Sequence, residues 1–142
     1  MNNEVLIDGS GLILGRLASN VAKQILHGEK VIIVNAEKII ITGNRKDILL
    51  KFKKRLETRT LGSQSKAPKH TRRPDTYVRR VIRGMLPWKK PKGKEAFKRL
   101  KVFIGIPEKL DGQTLSTIPT AKKTVQRGLT VGEMMAVFGW SK

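Results

Sequence analysis

Cysteine is absent from the 142 residues, which excludes disulfides and cysteine-ligated zinc and fits a reducing compartment. Only two histidines are present, His27 and His70, and neither has a thiol or a second histidine at ligand spacing, so no metal site is expected. Aromatic residues make up 5% of the chain, too few for the stacking platforms of single-strand binders. Long apolar runs are missing as well. The longest aliphatic stretches, Val31–Val34 and Ile39–Ile41, fall far short of the ~20 residues a membrane-crossing helix needs. The opening Met1-Asn2-Asn3-Glu4 has neither the basic flank nor the apolar core of an export signal. These shortages together point to an intracellular, cytoplasmic protein with no membrane partner. At this length one domain with a real core is expected, spanning 1–142.

The remaining shortage is acidic: 11 Asp and Glu stand against 30 Lys and Arg, a net charge of +19. The imbalance is local. Residues 51–101 hold 19 basic side chains and only Glu57, Asp75 and Glu95, whereas residues 1–50 hold 6 basic and 5 acidic and residues 102–142 hold 5 and 3. A solvated surface mixes signs. Here Arg72, Arg73, Arg79, Arg80, Arg83, Lys89, Lys90, Lys92, Lys94, Lys98, Arg99 and Lys101 have only Asp75 and Glu95 among them. Such side chains repel one another unless a polyanion intervenes, and arginine forks onto phosphate oxygens in a way lysine does not. The 51–101 segment therefore predicts nucleic-acid binding.

Along the chain, Glu4–Asp8 reads as a first strand, broken by Gly9-Ser10-Gly11. Leu14, Leu17, Ala18, Val21, Ala22, Ile25 and Leu26 then recur at helical spacing, and Gly28 suits the left-handed residue past the helix end. The unbroken β-branched run Val31–Val34 predicts a strand covered on both faces. Strand, helix and buried strand make a βαβ unit with parallel strands. Ile39–Thr42 is a short extended piece, and Asn44 caps a second helix whose apolar side is Ile48, Leu49, Phe52 and Leu56. Thr58–Thr71 reads as an extended loop. Pro74-Asp75 opens a third helix, with Asp75 as the expected cap. On it Arg79, Arg80 and Arg83 share one face and Val78 and Ile82 the other. Trp88–Lys94 is expected to be a basic loop, Glu95–Leu100 a short helix, Val102–Ile104 a third buried strand and Glu108–Gln126 irregular. Thr130 and Glu133 form a capping box for a last helix, stopped by Gly139.

Gly9-x-Gly11-x-x-x-Gly15 lies between a strand and a helix, but the dinucleotide fingerprint needs its third glycine one residue earlier and an acidic residue after the second strand, where Asn35 stands. The plainer reading is a tight strand-to-helix turn. No paired carboxylates and no nucleophile elbow are found, so no catalytic constellation and no cofactor are expected. Two alternative readings stay open: a nucleotide-binding α/β enzyme using the Gly9–Gly15 turn, which nucleotide calorimetry would detect, and a DNA-binding regulator, which competition between RNA and DNA at matched salt would detect.

Residues 83–107 resemble the signature of the large-subunit ribosomal protein L13 family in its archaeal and eukaryotic branch, above all in Arg83-Gly84-Met85-Leu86-Pro87. The Leu14–Ser19 and Val34–Gly43 stretches are similar to the same family. The resemblance, running from about Val5 to Pro107, implies a three-layer α/β/α single domain around a mainly parallel sheet, with a basic helix-loop extension. It also implies binding to large-subunit ribosomal RNA beside neighbouring ribosomal proteins, and no enzymatic activity or small-molecule substrate. By position, its RNA-facing motif falls on Arg83, Gly84, Met85, Leu86, Pro87 and the lysines that follow. Residues 108–142 are matched to nothing by this resemblance.

Overall fold

Strand β1 (Glu4–Asp8), helix α1 (Leu14–His27) and strand β2 (Lys30–Val34) open the chain as the expected βαβ unit, in a computed structural model that describes residues 4–141. β1 and β2 pair in parallel from Glu4 opposite Lys30 to Asp8 opposite Val34. Helix α1 turns Leu14, Leu17, Ala18, Val21, Ala22 and Ile25 inward, and Gly28 closes it at φ 106°, a conformation with no penalty for glycine. On its other edge β2 pairs in parallel with β4 (Leu100–Val102), giving the order β1-β2-β4. A central strand hydrogen-bonded on both edges and packed on both faces explains why Val31–Val34 can be wholly apolar.

The two faces of this sheet are covered differently. Ile7, Val31 and Ile33 point into the main core with α1 and with α3 (Pro74–Gly84). Leu6, Ile32 and Val34 point the other way, onto Phe103, Leu110 and Leu115. The fold is the expected α/β domain with a mainly parallel sheet, and the Leu6, Ile32 and Val34 face is covered by the irregular 103–115 segment with one 3-10 turn at Glu108–Leu110. Three side chains make a small face, and a loop suffices to cover it. The same segment protects the β1 edge, because Ser116 exchanges backbone hydrogen bonds with Leu6 and Asp8.

A second sheet was not foreseen: β3 (Ile40–Thr42) pairs antiparallel with β5 (Gly128–Thr130). β5 leads directly into α5 (Val131–Val137), whose capping box is formed as expected, with Thr130 Oγ1 accepting from Glu133 N at 3.2 Å and Glu133 Oε2 from Thr130 N at 3.0 Å. Helix α2 (Arg45–Glu57) starts at the Asn44 cap and buries Phe52.

Three local expectations need correction. Helix α4 spans Pro91–Lys98, so Pro91–Lys94 of the expected Trp88–Lys94 loop is helical. Pro91 serves its first turn, where no amide donor is needed, and Gly93 lets the helix lie against the preceding turn, since a Cβ there would collide with the Pro87 carbonyl. The third core strand is Leu100–Val102 rather than Val102–Ile104: Leu100 and Val102 are buried and Lys101 between them is exposed, the alternation of a paired strand. The cap of α3 is Arg73, not Asp75, because Pro74 takes the first helical position and moves Asp75 into the first turn.

Candidate nucleic-acid interface

Helix α3 divides as its sequence demands. Val78 and Ile82 are fully buried against α1 and β4, and Arg79, Arg80 and Arg83 stand on the exposed side. Two of these arginines lie on aromatic faces contributed by other elements. The Arg79 guanidinium carbon sits 4.8 Å from the centroid of the Phe97 ring on α4, and that of Arg83 sits 5.2 Å from Trp88. Trp88 and Phe97 meet edge to face at 5.3 Å. The four side chains thus form one run, Arg83–Trp88–Phe97–Arg79, linking α3 to the turn and to α4. Neither of these two guanidinium groups makes a hydrogen bond among the described residues, so their N–H donors are left for other partners.

The remaining basic residues fall into two sets. Arg72, Lys89, Lys90, Lys92, Lys94, Lys98 and Lys101 are exposed, as is Gly84. Arg73, Arg80 and Arg99 have work inside the chain. Arg73 pairs with Asp75, Nη2 to Oδ2 at 3.0 Å. Arg80 Nη1 donates to the Lys69 carbonyl at 2.7 Å and so ties the 58–73 segment to α3. Half-buried Arg99 donates from Nη1 to the Ile25 carbonyl at 3.1 Å, closing the C-terminal end of α1, where a cation is favourable. Among the described residues only two ion pairs occur, Arg73–Asp75 and the exposed Lys53–Glu57 at 3.9 Å. Most of the positive charge of residues 51–101 therefore has no counter-charge within the chain.

Arg55 of α2 and His70 both fall in the basic 51–101 segment, but their sharing one site was not foreseen. They line, with Phe52, Tyr77, Arg80 and Val81, an open cleft of about 280 Å³ between α2 and α3. A neighbouring hollow of about 240 Å³ shares Phe52, Arg55 and Tyr77 and adds Lys51. These residues come from two helices and a loop, and no spacing in the sequence brings them together.

The Gly9–Gly15 turn is built as a turn. Asp8 Oδ1 accepts from Ser10 N at 3.0 Å, Ser10 Oγ at 2.8 Å and Asn35 Nδ2 at 2.9 Å. Burial pushes the Asp8 carboxyl up, but the hydrogen bonds from Asn35 and Ser10 and the charge of Lys38 outweigh it and hold it below the usual carboxylate range. The turn thus carries its own anion beside the start of α1, where a bound phosphate would meet repulsion. Gly9 is needed for close approach, since a Cβ there would lie 2.8 Å from Ile39 Cγ1 and 3.0 Å from the Val34 carbonyl oxygen. The 118–122 segment also crosses this end of α1, Ile13 N donating to the Ala121 carbonyl at 3.0 Å and Arg16 Nη1 to that of Thr120 at 3.3 Å. Nothing in this geometry supports the nucleotide-binding alternative.

The sequence profile of the family described as Ribosomal protein L13 matches residues 2–109. The chain belongs to the ribosomal protein L13 family. It is similar to the large ribosomal subunit protein uL13 of Methanosphaera stadtmanae, 43% identical over 136 residues, which cover 94% of this chain and 96% of the relative. The uL13 protein of Methanocaldococcus jannaschii is 44% identical over 135 residues, with 94% and 96% covered. That of Methanosarcina barkeri is 49% identical over 117 residues, with 82% and 81% covered. The L13 profile takes in β1 to β4 and the whole basic segment. Relatives aligned over 94% of the chain necessarily reach beyond residue 109, so the likeness extends into the C-terminal part that the sequence reading left unplaced.

Proposed function

We propose that this L13-family chain is a structural constituent of the large ribosomal subunit in the cytoplasm. It binds ribosomal RNA through the exposed basic side chains of residues 51–101 and supports subunit assembly. The observation that carries the reading is the unpaired charge: 19 basic side chains in that segment, with two ion pairs among the described residues. Arg79, Arg83, Arg72 and the lysines of the 89–101 stretch are the contacts proposed. Gly84, which has no side chain, would let RNA approach the end of α3. Arg73, Arg80 and Arg99 act first inside the chain, the latter two as ties between elements. The α/β body holds these groups in fixed positions, and A-form RNA is read through phosphates and 2′-hydroxyls because its deep major groove admits few side chains. Neighbouring ribosomal proteins complete the environment, and no enzymatic step is assigned to the chain. Sedimentation of gently lysed cells tests the proposal. The chain should travel with large subunits and leave them at high salt, whereas a pool found only as free small protein would reject it.

A further inference from the structure

The cleft between α2 and α3 combines features that a plain phosphate-binding surface does not need. Its floor is apolar and aromatic: buried Phe52, the ring of Tyr77 packed against it edge to face at 5.9 Å, and Val81. Its lips are cationic, Arg55 from α2 on one side and Arg80 from α3 on the other. Arg80 spends one of its five N–H donors on the Lys69 carbonyl and is held in place by it. Two polar groups stand between floor and lips. His70 lines the cleft, and its Nε2 is shielded from water and has no hydrogen-bond partner among the described residues. The Tyr77 hydroxyl makes no hydrogen bond among the described residues; burial raises its pKa despite the nearby charge of Arg55, so it remains a neutral donor. At about 280 Å³ the space approaches the lower end of small-molecule sites and exceeds what a single bare phosphate would fill.

An occupant must therefore offer a flat apolar face, a hydrogen-bonding edge and a negative charge on one side. We infer that this cleft receives one unstacked nucleotide of the bound RNA, its base on the Phe52–Tyr77–Val81 floor, its edge met by His70 and Tyr77, and its phosphate between Arg55 and Arg80. Splayed-out bases, stacked on aromatic rings and bonded at their edges, are how proteins read RNA locally while the A-form helices give only shape. The cleft would make one point of the interface sequence-sensitive. This inference rests on the RNA-binding reading above and deepens it.

Two measurements on the full chain with large-subunit ribosomal RNA separate the two. The first is ultraviolet crosslinking of the complex followed by peptide mapping. A single nucleotide attached to His70, Tyr77 or Phe52 is expected, and crosslinks confined to Trp88 or to the 89–101 stretch would overturn the cleft. The second compares His70→Ala and Tyr77→Phe for affinity as a function of salt. Tyr77→Phe removes only the hydroxyl that faces the cleft and keeps the ring that packs against Phe52, so the helix packing is undisturbed. Neither substitution removes a fixed positive charge. Each should weaken binding about tenfold while leaving the slope of log affinity against log salt unchanged. Unaltered affinity in both variants, with normal binding by the unsubstituted chain, would overturn the cleft and leave the ribosomal reading standing. Failure of the unsubstituted chain to bind the RNA at all would overturn both.

Discussion

Helices α1 and α3 pack against one another and share an inner design, yet they face solvent with opposite chemistry. Both bury β-branched residues four apart, Val21 and Ile25 on one and Val78 and Ile82 on the other. The outer side of α1 is mixed and largely self-satisfied: Ser19 Oγ and Asn20 Nδ2 both donate to the Arg16 carbonyl, at 3.0 and 2.9 Å. Along the outer side of α3, three arginines have their positions set by Phe97, Trp88 and the Lys69 carbonyl while most of their donors stay free. The inner faces decide how the chain folds. The outer faces decide what it meets.

Charge reversal of the α3 face is the strongest way to break that comparison. Arg79→Glu, Arg80→Glu and Arg83→Glu together should cost ribosomal RNA affinity on the order of a hundredfold or more, and lower the salt slope by roughly 0.7–0.9 for each phosphate no longer neutralised. Arg16→Glu with Lys23→Glu on α1 should leave the slope unchanged. Filter binding across a salt series, with circular dichroism to confirm folding, checks both. Equal losses from the two helices would mean that charge alone, and not its placement, matters.

Limited trypsin digestion sharpens the division between body and basic segment. No residue from 58 to 73 is buried, and only a 3-10 turn at Gln64–Lys66 interrupts that stretch. Its ordering costs about 1–2 kcal/mol of backbone entropy per residue with little burial to offset it. Cleavage of the free protein should begin at Arg59, Lys66 or Lys69, well before Lys23 or Lys30, and RNA should slow it. Lys92 belongs to the first turn of α4 and is expected to be cut later than these three, a reversal of what a basic loop at Trp88–Lys94 would give.

The third test concerns how α4 holds the aromatic rings beneath the arginines. Gly93→Ala would drive a methyl group into the Pro87 carbonyl and should destabilise the protein by about 1–3 kcal/mol, read from urea unfolding. Its salt slope with RNA should also fall, because Phe97 and Trp88 would no longer hold Arg79 and Arg83. A destabilised variant with full RNA binding would show that the rings do not position the arginines.

The smallest effect belongs to the neutral half of the molecule. Asp8 has a carboxyl held below the usual range in the folded state, so it contributes stability above its unfolded pKa, and that contribution is lost as pH falls through the folded value. Asp8→Asn should therefore be less stable than the parent at pH 7, by under about 1 kcal/mol given the solvent screening of a half-exposed group. The gap should narrow as pH falls below about 4. Thermal melts at pH 7 and pH 3 measure it, and a gap that widens on acidification would contradict the assignment.

Much of this protein was legible residue by residue. The span Glu4–Asp8, the inward stripe of α1, the Gly28 stop, the Asn44 cap, the Thr130–Glu133 capping box and the two-sided character of α3 all follow from interactions between residues at most a few positions apart. The location of the charge was legible for the same reason, since a count needs no coordinates. The extent of α4 was missed because a Lys-Pro-Lys-Gly-Lys run lacks an apolar stripe, and its helix depends on how Gly93 fits the Pro87 turn.

By itself, then, the sequence determined the βαβ start, the faces of its amphipathic helices and the segment in which the positive charge concentrates. Tertiary structure alone decided which donors are free. Arg99 is drawn to the end of α1, 74 residues away, and Arg80 to the Lys69 carbonyl. Arg79 and Arg83 settle on rings from other elements, and Arg55 and His70 come to line one cleft. The pairing of β3 with β5 belongs here too, because three-residue strands carry no periodicity of their own. Each of these depends on atoms brought together by burial elsewhere in the chain, and a guanidinium group has the same charge in the sequence whether it ends against a carbonyl, on a ring or free at the surface.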